Sequence, residues 1–88
     1  MRKHDLSFQR ALGLLKRGFR VSRSGWNGKG MYLKLIKTWS IHKNYGELAQ
    51  LPASPFIAMK TAQGDLVPWL ASQTDILAKD WCVSESAI

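Results

Sequence analysis

Cysteine occurs once in this 88-residue chain, at Cys82, so a disulfide within the chain is excluded and the thiolates of a structural zinc site are missing. Histidine occurs twice, and neither His4 nor His42 has an acidic partner at ligand spacing. Acidic residues are scarce, six against thirteen lysines and arginines. No apolar run reaches the length of a membrane span, and no apolar segment of signal-peptide type follows the basic start Met1-Arg2-Lys3-His4-Asp5. A soluble, intracellular protein is expected, with no membrane association, no metal and no cofactor.

The bases are unevenly placed. Residues 1–44 carry eleven of them against Asp5, a balance of +10, and residues 45–88 stand at −3, which together make the net +7. Such asymmetry suits a polyanionic partner, either nucleic acid or a small phosphorylated molecule, and it equally suits a solvated basic face. A chain this short buries only about 60–65% of the surface its unfolded form exposes. One domain spanning 1–88 is expected, with a flexible basic leader at 1–6 and a flexible tail at 84–88. Self-association would add the stability that a small core lacks.

The pattern of residues predicts an α+β fold. Ser7 caps a helix over Phe8–Arg17, whose Phe8, Ala11, Leu12 and Leu15 share one face, and Gly18 follows as its stop. Phe19–Arg23 alternates as a strand, Asn27-Gly28 is a tight-turn pair, and Met31–Ile36 reads as the returning strand. Lys37–Pro55 shows no clean period and is read as loop with at most a short element. Phe56–Thr61 is a third strand and Gln63-Gly64-Asp65 a turn. Leu66-Val67 is a fourth strand ending at Pro68, and Trp81–Val83 a final one. Thr74 is expected to cap a short second helix over 75–79. The product is an N-terminal helix on an antiparallel sheet of four to five strands, one face of which that helix leaves bare.

Two clusters carry candidate chemistry: Gly25-Trp26-Asn27-Gly28-Lys29-Gly30 and Ser72-Gln73-Thr74-Asp75. The first is not a phosphate-binding P-loop. It lacks the four-residue spacer before Gly-Lys and the hydroxyl after it, and it precedes a strand instead of a helix. It does offer an indole, an amide, a cation and close-approach glycines, which suits a nucleotide-like ligand. Two roles fit Trp26, packing across the sheet or stacking on a base. Thr74 and Asp75 fit either a helix cap or hydrogen bonds to ribose hydroxyls. Asp75 and Asp80 could form the acid pair of a hydrolase, although capping and surface charge explain them equally well. Trp39, Trp69 and Trp81 are read as core or interface.

The runs Phe8–Gly18 and Val21–Met31, with Pro55–Thr61 and Val67–Trp81, resemble the phage Thoeris anti-defence two family over about two thirds of the chain. That resemblance implies a non-enzymatic sponge that sequesters cyclic nucleotide immune signals, glycocyclic ADP-ribose and in some members cyclic oligonucleotides. It further implies a homotetramer with ligand sites between protomers, working in the cytoplasm of the infected host. On matching positions it points to Trp26, Asn27, Thr74 and Asp75 for the ADP-ribose-type pocket. Gly28, Lys29, Arg23 and Ser72 follow for phosphate or second-site contacts. The alternative reading is a small basic nucleic-acid-binding protein, whose affinity would fall steeply with salt.

Overall fold

A computed structural model describes residues 3–26, 30–40 and 50–87. The elements run α1 (Phe8–Lys16), β1 (Phe19–Arg23), β2 (Tyr32–Ser40), β3 (Gln50–Lys60), β4 (Leu66–Pro68), α2 (Gln73–Leu77) and β5 (Trp81–Ala87). The strands make one five-stranded antiparallel sheet in the order β4-β3-β2-β1-β5. This is the α+β architecture read from the sequence, with an N-terminal helix and a short second helix.

Helix α1 forms as its residues dictate. The Ser7 hydroxyl accepts from the Arg10 N–H, and Gly18 ends the helix at φ 96°, a left-handed turn that glycine adopts without a Cβ penalty. Ala11, Leu14 and Leu15 are buried against Val21 of β1, Leu33 of β2 and Trp81 and Val83 of β5. Phe8 and Leu12 sit half-buried at the margin of this core. Leu14 was not on the predicted stripe. It is buried because the helix lies across three strands, so its apolar arc is wider than one row.

Three boundaries differ from the sequence reading. β2 runs on to Ser40 and β3 begins at Gln50, so part of the 37–55 segment is strand, while residues 41–49, with His42 and Tyr45, lie outside the described residues. Of the prolines that argued for a loop, Pro55 falls in an irregularity and Pro52 pairs at its border. Ile36 pairs with Phe56 and Thr38 with Pro52, leaving Ala53, Ser54 and Pro55 opposite Lys37 alone. A bulge is where a sheet tolerates a missing N–H, and β4 covers only Ala58–Lys60 of β3, so among the described residues Pro52 lies on a stretch without an outer strand. Second, α2 covers Gln73–Leu77 and its N-cap is Ser72, not Thr74. The reason is a capping box: Ser72 accepts from the Asp75 N–H, and Asp75 accepts in return from the Ser72 N–H. Third, β5 extends through Ala87, so residues 84–87 continue the edge strand, with Ile88 outside the described residues. At the other end the leader also pairs. Leu6 is buried and bridges Trp81, and the Lys3 carbonyl accepts from the Val83 N–H.

Candidate functional site

Strand alternation sets up the site. Phe19, Val21 and Arg23 point to the same side of β1, the side that α1 covers. A cation on a core-facing position must find counter-charges, and five of the six acids of this chain lie in its C-terminal half. Arg23 finds two. Its Nη1 donates to Asp75 Oδ1 and its Nε to Asp80 Oδ1, both at 2.8 Å. The side chains of Arg23 and Asp75 are only 16% and 15% exposed, and that of Asp80 30%, so solvent screens this fork weakly.

The second oxygen of each carboxylate is also engaged. Asp75 Oδ2 accepts from the Ser72 hydroxyl at 2.8 Å and the Ser72 N–H at 3.3 Å. Asp80 Oδ2 accepts from the Gly25 N–H at 2.9 Å and the Ser24 hydroxyl at 3.4 Å. Gly25 suits this close approach, since a Cβ there would stand 2.9 Å from Asp80 Oδ2 and push that carboxylate aside. The titration of each group follows. Burial pushes the Asp75 carboxyl up, but the hydrogen bonds from Arg23 and Ser72 outweigh it and hold the acid below its ordinary range. Asp80 is lowered chiefly by the Arg23 hydrogen bond, against some desolvation. Arg23 is raised in turn, by Asp80 first and Asp75 second.

Aromatic rings back this network. Trp81 is fully buried and its Nε1–H donates to the Asp75 carbonyl at 3.0 Å, so the core itself holds the first turn of α2. Trp26 meets Trp81 edge to face at 5.6 Å and remains half-buried, packed on the core along one side. Trp69 and Phe8 complete the cluster at 6.0 and 5.4 Å from the same indole. Trp26 thus has the packing contact considered for it, with part of its surface at the solvent edge.

Within this chain the two candidate clusters are joined through Arg23, Asp80 and Trp81, which belong to neither. Arg23 and Asp75 touch directly, Ser72 touches Asp75, and Trp26 reaches the Asp75 turn through Trp81. Thr74 is exposed in the first turn of α2. Asn27, Gly28 and Lys29 lie outside the described residues. Asp80 and the Gly25 N–H belong to the arrangement but were not among the predicted ligand-binding residues. The available signal was the core-facing parity of Arg23, which calls for acceptors for its several N–H donors. Among the described residues no cluster of His, Cys, Asp and Glu could hold a metal ion, and no helix is long and apolar enough to cross a membrane.

What this geometry offers is an ionised, hydrogen-bonded wall beside a partly open indole. Two carboxylates clamped by one guanidinium are poor proton donors near neutral pH, because general-acid work needs a raised carboxyl pKa and both are lowered.

Comparison with known proteins agrees with the resemblance of the two runs. A relative named "Thoeris anti-defense 2", from Bacillus phage SP01, is 42% identical over 84 residues, covering 90% of the chain and 94% of the relative. The Tad2-like profile, described as a Thoeris anti-defense 2-like domain, matches residues 6–84, from the Leu6 bridge into β5, and the chain belongs to that anti-defence family.

Proposed function

We propose that the protein is an anti-defence sponge, which binds a cyclic nucleotide immune signal of glycocyclic ADP-ribose type, with cyclic oligonucleotides as further ligands, and holds it intact. It acts without catalysis in the cytoplasm of the infected host, as a homo-oligomer, most simply a tetramer. The observation that carries this reading is the double clamp of Arg23 on Asp75 and Asp80 next to the half-open Trp26 ring. It supports holding a ligand over converting one, since the acids are committed to structure and Trp26 offers a stacking surface.

In this reading Trp26 stacks on the adenine, and Asn27, Thr74 and Asp75 hydrogen-bond the sugar or base edges. Asp75 already accepts three hydrogen bonds, and a carboxylate has about four acceptor positions, so one lone pair is left for a ribose hydroxyl. Ser72 and Arg23 keep that carboxylate in place, while Gly28 and Lys29 approach the phosphates. A sponge must hold its ligand tightly and release it slowly, which a preassembled wall favours by lowering the ordering cost of binding.

The deciding experiment incubates the protein with glycocyclic ADP-ribose, heat-denatures it and analyses what is released. Intact messenger is the expected product, and a cleaved product would make the protein an enzyme. Thermal-shift titration with Trp26→Ala and Asp75→Ala tests the pocket. Each variant is expected to lose most of the ligand-induced shift, and a full shift in both would move the site elsewhere.

The exposed Arg10 and Lys16 of α1, with Arg17 at its C-cap, favour the nucleic-acid alternative. It requires a gel shift that weakens steeply with added salt, and no shift at physiological salt removes it.

A further inference from the structure

The helices pack on one side of the sheet, and the opposite side carries a cluster that the Trp26 site does not use. Phe19 and Val21 face the core, so Arg20 between them points to the other face. There its guanidinium lies over the Tyr32 ring, 4.7 Å from the centroid, and Lys60 Nζ stands over the same ring at 5.7 Å. Two cations thus share one aromatic ring, and among the described residues neither has an ion pair with a carboxylate. Lys60 spends one N–H on the Gly30 carbonyl at 3.1 Å, which fixes its head and leaves its other donors open. The Arg20 Nε is buried and, among the described residues, has no hydrogen-bond partner. A buried donor without an acceptor is uncommon enough in native proteins to need an explanation. Arg20, Ser22, Tyr32, Lys60 and Ser84 line an open concavity of about 540 Å³ on this face.

We propose that this concavity is an oxyanion site in which Arg20 and Lys60, positioned by Tyr32, hold a phosphoryl group. The ligand chemistry follows from what is present. Two positive charges match a dianion better than a single carboxylate, and an arginine fork beside the Ser22 hydroxyl suits the several terminal oxygens of a phosphate. The ring here already carries cations, so the site offers charge and N–H donors instead of a platform for a nucleobase. The site lies across the sheet from Arg23, Asp75 and Asp80, and its occupancy does not depend on the sponge reading.

The test is an NMR titration of the full chain, following the Arg20 side-chain Nε–H. Orthophosphate is expected to shift this resonance saturably, while chloride at equal ionic strength is not. Lys60→Gln is expected to weaken phosphate binding about tenfold, as loss of one charge-assisted contact does. Arg20→Lys keeps a charge but removes the guanidinium fork, and it should weaken binding similarly when read at the Tyr32 amide. Adenosine monophosphate and adenosine separate the sources. A tighter response to the monophosphate assigns the phosphoryl group to a nucleotide, and an equal response assigns it to free phosphate. Equal shifts from adenosine would overturn the proposal, as would a non-saturating or chloride-like response or unchanged affinity in both variants. It would also fail if the substitutions altered only sedimentation, which would make this face a contact between copies of the chain.

Discussion

Arg23 is where the most local chemistry converges. One guanidinium holds two carboxylates, and those carboxylates hold the Ser72 and Gly25 backbones, so removing it strands two partly buried acids. Arg23→Met is expected to cost about 2–3 kcal/mol in urea unfolding, since breaking a well-buried pair costs ~3–5 kcal/mol and this one is partly solvated. Asp75→Asn and Asp80→Asn should each cost less, and a double-mutant cycle of either with Arg23→Met should show strong non-additivity. Gly25→Ala tests the neighbouring contact. Its Cβ would press on Asp80 Oδ2, so a loss of about 1–2 kcal/mol is expected, and the loss should shrink in an Asp80→Ala background.

Elements differ in how much of their own structure they carry. Helix α1 has its cap, its stop and its apolar arc in sequence, and its one weak point is Gly13, exposed with open space around it. Gly13→Ala should therefore raise stability by roughly 0.5–1 kcal/mol, measurable as a higher urea midpoint with an unchanged slope. Helix α2 is the opposite case. Its five residues include none that is buried, and it is held by the Ser72–Asp75 capping box, the Arg23 fork and the Trp81 indole N–H. Ser72→Ala should cost about 1 kcal/mol, the usual worth of an N-cap, and should raise hydrogen exchange in α2 before it affects α1. Capping by Ser72 was missed because Thr74 and Ser72 carry similar hydroxyls. Only Asp75 standing three residues after Ser72 distinguishes them.

On the scale of the molecule, the fork couples folding to pH. Asp75 and Asp80 have folded pKa values below the ordinary carboxylate value of 3.8, so the unfolded chain binds more protons than the native one in the interval beneath it. Their contribution is complete above that ordinary value and is lost as pH falls through the lowered folded values. The melting temperature should be insensitive to these groups near neutrality and drop steeply in acid. In Arg23→Met the acid slope should be shallower over the same interval, and a slope equal to that of the parent protein would place the acid sensitivity elsewhere. The sheet also divides the molecule into two faces, with the core and the Trp26 wall on one and the Arg20–Tyr32–Lys60 concavity on the other.

The order and type of most elements were legible from the sequence, because caps, alternation and glycine stops are local and each residue carries its own preference. The extents of β2, β3 and β5 were not, since strand length depends on a partner strand, and a bulge opposite Lys37 can accommodate a proline that reads locally as a loop. For the site, the residues themselves singled out Trp26, Ser72 and Asp75 as candidates, while Arg23 came only through the family resemblance, as a phosphate contact and not as a clamp. Only the tertiary structure decided that Arg23 is clamped between Asp75 and Asp80, across sequence separations of 52 and 57 residues. The physical reason is that β1 and β5 are neighbours in the sheet though far apart in sequence, so a cation on the core face of one meets the acids leading into the other.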